Sequence, residues 1–451
     1  MEGSPEQDLF EFAKDRDDSA PKATEGPKLD VGSSALLDEP SSLGLLHVRR
    51  RRSPWLLGSM IGLLALALIT SFSGIGGCQY NGKIAPSSPR GGWRPAPLPD
   101  PVKAVWVARF HYRYPEDIRT IMRNAAADGC NTVLWQVRGE GTVAYPSRIE
   151  PWSAQFDYRD PGYDPLGIAV AEAHRNGLRI EAWINVMPGW KGKQPPSVKN
   201  QLWHTHPEWF LHDASGQRQP SGDFYVILNP CLPEVRRYIA SVAQELMSNY
   251  ELDGLHLDYV RYAWDTTPGA REKYPRDSET LRIYQRETGK RPDEDIRAWD
   301  HWRAEQITRL VAELRSVVRQ ARPGATLSAA VVASPSVGYR DYFQDSPTWL
   351  RGGLVDAIMP MTYTERFDRF EQYNTEYRAA APRGWIVPGI GLYKFNTPEQ
   401  FSRQLQQCRA WGGDYCLFSY ESLHATDSDR KGSAAEAQQL RRMRLGVLHG
   451  R

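Results

Sequence analysis

Asp253-Gly254-Leu255-His256-Leu257-Asp258-Tyr259-Val260-Arg261-Tyr262 reads as a strand that ends in a charge. Leu255, Leu257 and Val260 are core residues. Asp258 closes an otherwise buriable run, with His256, Arg261 and aromatic rings around it. A carboxylate in such company is costly unless it is paired or used. Which of these holds depends on where the strand points, and that depends on the fold.

From residue 102 onward, apolar runs of strand length alternate with amphipathic helical runs. Strands are expected at 103–110, 132–137, 179–186, 254–262, 326–334, 356–363, 385–393 and 415–422. Helices between them carry start and stop signals. Pro115 opens one and Gly129 follows its end; Asp164-Pro165 caps the next and Gly177 closes it; Thr397-Pro398-Glu399-Gln400 is a capping box with proline in the first turn. Strands buried on both faces, each followed by a helix, imply a parallel sheet. Eight such units over about 350 residues exceed the ~250 of a plain (β/α)8 barrel. A TIM barrel with long βα loops, spanning 102–446, is therefore expected, and an open doubly wound sheet is the alternative. No glycine-rich phosphate loop stands in the right context for a nucleotide.

In such a barrel the chemistry lies at the C-terminal ends of the strands. That rule brings Arg109 and His111, Gln136, Arg138 and Glu140, Asn185, Asp258 and Arg261, Tyr363 and Glu365, Tyr393, and Tyr420 and Glu421 to one rim. Two long loops add Glu150 and Trp152 after strand two, and Trp190, Trp203, His204, His206, Trp209 and Asp223 after strand three.

The 451-residue chain has a formal net charge of +2, which argues against a nucleic-acid binder. Its 15 tryptophans and 21 tyrosines suit a core and equally a sugar-binding cleft. The five cysteines form no CxxC or His/Cys cluster, so neither a structural metal nor a cofactor is expected, while disulfides stay open for an exported chain. Residues 1–53 are polar and read as disordered or as an extension ahead of a later start, with Val48 a fitting start position. Arg49 to Arg52 then precede an uncharged run at 54–77 that ends Ile75-Gly76-Gly77-Cys78. This is a signal segment closing on a lipobox with Cys78 as the lipidated residue, or else a plain membrane anchor. Either places the following residues outside the cytoplasm, in the cell envelope, with 79–101 as a Pro/Gly-rich tether.

The blocks KAVWV, NTVLWQVRGEGTVAYPSRIEPWS, GLRIEAWINV, LNPCLPEVRRYI, DGLHLDYVRY, WDHWRAEQITRLV, DAIMPMTY, PGIGLY and CLFSYESL occur in this order over residues 102–425. Together they resemble glycosyl-hydrolase-like family 10. The resemblance implies an exported, often lipid-anchored TIM barrel, one branch of which cleaves peptidoglycan glycan strands stripped of their stem peptides. One position departs from the family. Glu181 precedes Ala182-Trp183 where the family usually has His.

Glycosidic cleavage needs a proton donor and a second carboxylate, about 5 Å apart for retention and ~6.5–9.5 Å for inversion. Asp258 is the first candidate. Glu150, in an apolar EPW setting that matches the family's block, and Glu421, at the end of strand eight, are candidates for the second. Asp253, at the opposite barrel end, reads as structural. Arg109, Gln136, Asn185, His256, Tyr363 and Tyr393 are candidates for holding sugar groups, and Trp152, Trp183 and Trp190 for stacking on sugar rings. The expected function is an exported glycoside hydrolase acting on a polysaccharide, with a carbohydrate-binding protein on a hydrolase-like barrel as the alternative.

Overall fold

The computed structural model describes residues 93–262, 269–426, 429 and 435–451. The expected tail at 1–53, the 54–78 segment with Cys78, and the tether as far as residue 92 lie outside the described residues.

Eight parallel strands form the core: β1 (Lys103–Val107), β2 (Thr132–Arg138), β3 (Arg179–Asn185), β4 (Gly254–Asp258), β5 (Thr326–Val331), β6 (Ala357–Pro360), β7 (Trp385–Ile386 and Gly389–Gly391) and β8 (Tyr415–Phe418). Each pairs in parallel with its sequence neighbours, and β8 returns to β1 through Lys103 opposite Tyr415. Strand β7 is interrupted at Val387-Pro388. Its first part pairs with β6 and its second with β8. The ladder still crosses the break, because Val387 N donates to Ile358 O at 3.0 Å and Pro388 O accepts from Cys416 N at 2.9 Å. The ring is thus closed. The main helices around it are α1 (Pro115–Ala127), α2 (Pro165–Arg175), α3 (Pro233–Asn249), α4 (Ile296–Ala321), α5 (Ser346–Arg351), α6 (Phe367–Ala380), α7 (Pro398–Ala410) and α8 (Ala435–Leu448). Among the described residues no helix is long and apolar enough to cross a membrane, and Cys130, Cys231, Cys408 and Cys416 are buried free thiols.

Strand starts match the sequence expectation to within a residue, but most ends fall short of it. Beyond Val107, Gly391 and Phe418 the chain bends into short helical turns at Arg109–His111, Leu392–Lys394 and Tyr420–Ser422. Phe110, Leu392, Tyr393 and Tyr420 in these turns share the strands' apolar or aromatic character, so hydropathy alone runs the strands on. The helix signals act as written. Asp164 Oδ1 accepts from Gly167 N at 3.0 Å, and Gln400 Oε1 from Thr397 N at 3.2 Å.

Alternate residues of the ring fill its interior: Ala104, Trp106, Leu134, Trp183, Ala330, Met359, Val387, Cys416 and Phe418. The lower end is closed by residues expected to be tether. Trp93 stacks on His174 with centroids 5.5 Å apart, Ala96 N donates to Asp253 Oδ1 at 2.7 Å, and Arg179 Nε donates to Ala96 O at 3.0 Å. Asp253 also accepts from Ile180 N at 3.0 Å and pairs with His174 at 3.1 Å. A buried carboxylate needs such donors, so the end of the expected tether belongs to the barrel.

Gly254 is required by this packing. A Cβ there would lie 2.8 Å from Glu181 Cδ and still closer to Thr326 Oγ1. Gly254→Ala is expected to cost about 1–3 kcal/mol by overpacking, read as a lowered denaturation midpoint.

Candidate active site

Asp258 stands at the C-terminal end of β4, 5% exposed and opposite Asn185 of β3. Its Oδ1 accepts from the amide of Tyr259 at 2.6 Å. Tyr259 takes a left-handed φ of 48°, a costly conformation for a residue with a side chain. Burial pushes the Asp258 carboxyl up to about 6, against the opposing pulls of Arg261, the Tyr259 amide and the Trp183 indole NH. The Arg261 guanidinium lies over the rings of Tyr259 and Tyr342, 4.8 Å from each centroid.

A hydrogen-bonded row of side chains runs beside Asp258. Gln136 Oε1 accepts from Arg109 N at 3.1 Å, and Gln136 Nε2 donates to Asn185 Oδ1 at 3.1 Å. Trp183 Nε1 donates to the same Asn185 oxygen at 3.2 Å, and Asn185 Nδ2 donates to the Tyr225 hydroxyl at 3.3 Å. Tyr225 comes from a β-hairpin after β3, in which Pro188–Gly192 pairs antiparallel with Gly222–Ile227. Burial raises its phenol to about 12, and the charges of Arg109, Glu140 and Asp258 all act on it. Arg109 Nη2 pairs with Glu140 Oε2 at 2.6 Å. On the other side an aromatic floor forms. Tyr363 stacks on Phe418 at 4.8 Å, Trp106 meets Phe418 edge-on at 5.8 Å, and Tyr393 lies 6.2 Å from Tyr363.

The remaining expected site residues fall elsewhere. Glu150 is enclosed with Arg138, both side chains 0% exposed. Arg138 Nε lies 3.0 and 2.9 Å from its two oxygens, Nη2 lies 2.8 Å from Oε1, and the Tyr238 hydroxyl donates to Oε1 at 2.9 Å. A carboxylate so enclosed cannot reach a sugar. Glu150 instead holds Arg138, whose Nη1 binds the carbonyls of Asn185 and Val186 at the end of β3. Glu421 is 12% exposed and held by His111 Nε2 at 3.4 Å. Glu365 is exposed, two residues beyond Tyr363.

His256 lies inside the ring, below the mouth. Trp106 Nε1 donates to its Nε2 at 3.0 Å, so the proton sits on Nδ1 and is donated to Ser328 Oγ at 2.8 Å. Ser328 in turn donates to Glu181 Oε2 at 2.5 Å. Burial holds His256 down to about 3, so it is neutral and unavailable to a sugar. Glu181 pairs with Arg179 at 3.1 Å, four positions below Asn185 and so ~13 Å from the rim. Its departure from the family therefore does not alter the mouth directly. Trp183 is interior, Trp190 is buried with its NH on Gln194 O, and Trp152 packs edge-on against Phe156; these rings serve packing rather than an open cleft. Among the described residues no group of three or more His, Cys, Asp or Glu side chains is arranged to hold a metal ion.

Sequence reasoning missed Tyr225, which reaches the mouth from a loop with no strand-end position. The apolar and aromatic run Phe224-Tyr225-Val226-Ile227 was its one signal.

A closed parallel ring with a buried carboxyl among rings and amides at its C-terminal mouth defines a TIM-type barrel. The chain belongs to the glycosyl hydrolase-like 10 family, whose model matches residues 101–404. Glycosyl hydrolase DigH of Escherichia coli (strain K12) is 28% identical over 309 residues, which are 60% of this chain and 64% of DigH. This chain therefore spans less than two thirds of that relative's length. Glycosyl hydrolase YngK of Bacillus subtilis (strain 168) is 26% identical over 258 residues, 52% of this chain and 46% of YngK. The PgaB (BpsB) glycoside hydrolase domain from Bordetella bronchiseptica shares the fold at a TM-score of 0.55 and 17% identity, over 76% of this chain and 98% of that one.

Two measurements check these placements. Glu150→Ala should cost about 3–5 kcal/mol by leaving Arg138 buried and unpaired, whereas Arg138→Met with Glu150→Leu should cost much less; denaturant titration separates them. The Asp258 carboxyl, raised from 3.8 to about 6, loses folding stability as pH rises through that window. Asp258→Asn carries no such loss. It should be more stable than the unmodified protein at pH 7.5 by on the order of 2–3 kcal/mol, and no more stable below pH 4.

Proposed function

We propose that this protein is a glycoside hydrolase that cleaves glycosidic bonds within a polysaccharide, and that the polysaccharide is the glycan strand of cell-wall peptidoglycan. The observation that carries the reading is the Asp258 carboxyl, raised to about 6 at the mouth of the ring. A general acid must hold its proton near the working pH and release it to the leaving oxygen. Burial gives Asp258 that property. Glu140 takes the part of the second carboxylate. It shares the Tyr225 phenol with Asp258 as a neighbour, and Arg109 pairs it as an anion. In this scheme Asp258 protonates the glycosidic oxygen while Glu140 acts on the sugar's anomeric carbon or on the attacking water. The aromatic floor of Tyr363, Tyr393 and Phe418 carries the sugar faces.

The glycan assignment is supported by membership of the glycosyl hydrolase-like 10 family and by the export features at 54–78. In the same proposal the chain is held at the cell envelope through Cys78 or through the apolar segment, with the barrel outside the cytoplasm.

The test is incubation of the full chain with purified sacculi, intact and amidase-treated, with product masses read out. Sugar fragments are expected from the unmodified protein. Asp258→Asn should release them about a hundredfold more slowly or worse. The unmodified protein's kcat/KM should fall as pH rises above about 6, because the acid then loses its proton. Equal release by Asp258→Asn would remove Asp258 from the mechanism.

A further inference from the structure

We propose that the base of the barrel, the end opposite the mouth, is a docking surface for a membrane of anionic phospholipid, so that the mouth opens away from the lipid. The inference rests on the envelope anchoring proposed above and adds the face that the barrel turns toward its membrane.

In a closed parallel ring the strand starts and the helix ends share one rim. Here that rim is basic. Arg175, Arg319, Arg351 and Arg409 stand in the last turns of α2, α4, α5 and α7, Arg94 and Arg383 stand outside any helix, and all of them are exposed. The helix dipole favours a cation in a last turn, but it gives no reason for Arg94 or Arg383. Arg175 pairs with Glu172, whereas Arg94, Arg319, Arg383 and Arg409 form no ion pair among the described residues.

Acids of the same rim are engaged from within. Asp356 is held by Arg315 at 2.7 Å and by the Leu327 amide at 2.8 Å. Asp414 accepts from Val102 N at 2.7 Å and from Trp385 Nε1 at 3.1 Å. Asp128 lies buried between His424 and His449, and Glu251 acts on Arg322. Asp100 is exposed and offsets one arginine. The whole chain carries a net charge of +2, so this excess belongs to the face and not to the chain at large. Three half-buried tryptophans, Trp93, Trp385 and Trp411, stand among the arginines, and the Arg378 guanidinium lies 4.9 Å over the Trp411 ring. Amphipathic rings beside cations suit the headgroup layer of a membrane.

The route of the chain selects lipid over another acidic partner. Trp93, the first described residue, lies on this rim against His174. Cys78 precedes it by fifteen positions, at most about 50 Å of chain. An anchor at 54–78 therefore keeps the base, rather than the mouth, within reach of the lipid. The near end of that connection is fastened to the rim through Ala96, which donates to Asp253 and accepts from Arg179.

The test uses the full chain carrying Cys78→Ser, in lipid nanodiscs whose headgroups bear a nitroxide quencher. A fluorophore is attached at one end of α7, through Glu399→Cys on the mouth side or Ala410→Cys on the base side, both exposed and about 17 Å apart. The thiols of Cys130, Cys231, Cys408 and Cys416 are buried. In discs of phosphatidylcholine with about 30% phosphatidylglycerol, the label at 410 is expected to be quenched at least about threefold more than in phosphatidylcholine alone, with little quenching of the label at 399. Salt at about 1 M, where the screening length falls to ~3 Å, should remove that difference. Arg319→Glu with Arg383→Glu, confirmed folded by an unchanged melting profile, should remove it too. Quenching that is equal at both positions, or equal in the two lipids, would overturn the docking surface while leaving the anchoring in place. A difference that survives both charge reversals would overturn it equally. A chain that does not elute with the discs would overturn the anchoring reading and this inference together.

Discussion

Asp258 has lost most of its water without gaining a full counter-ion, and the mouth is built around that fact. A closed ring of parallel strands sends every C-terminal end to one rim. Beneath that rim the ring is filled by Trp106, Leu134, Trp183, Met359 and Phe418, so a carboxyl at the end of β4 rests on hydrocarbon and indole. Arg261 is close enough to oppose the shift but is spread over two tyrosine rings, and the net displacement is still upward. A purely structural buried carboxylate would be expected to be enclosed by donors. Glu150 and Asp253 are arranged like that, each ringed by an arginine, a histidine or backbone amides.

The polar groups under and beside the mouth fix positions. The chain from Trp106 through His256 and Ser328 to Glu181 satisfies a histidine at the centre of the ring and sets its tautomer, with Arg179 balancing the last carboxylate. The Arg138–Glu150 pair holds the carbonyls where β3 ends, and so holds Asn185, the residue that links Gln136 to Tyr225. Buried pairs of this kind add little net stability, but breaking one of them is costly. Their value here lies in geometry. They keep Gln136, Asn185 and Tyr225 from moving relative to Asp258.

Much of this was legible in the sequence, and the gaps have physical causes. Strand starts were readable because an apolar run begins abruptly after each helix stop such as Gly129 or Gly177. Strand ends were not, because Tyr259, Leu392 and Tyr420 just beyond them share the strands' composition. Asp258 stood out as a lone charge closing a buriable strand. Glu150 looked equally promising from its apolar neighbours. Its partner, Arg138, lies twelve residues upstream, past the register shift after Gln136, and no local pattern announces that shift. Tyr225 was hidden because a hairpin in a long loop carries it. Trp93 and Ala96 read as tether because proline and glycine dominate their surroundings, yet the buried Asp253 needs the amide that Ala96 supplies.

The most direct measurement is an NMR titration of the protein carrying 13C-labelled aspartate, with the Asp258 signal assigned by its absence in Asp258→Asn. The carboxyl carbon of Asp258 should titrate near pH 6, well above the ordinary aspartate range. A midpoint at 4 or below would mean that water or Arg261 solvates the group fully, and the proton-donor role would then be contradicted.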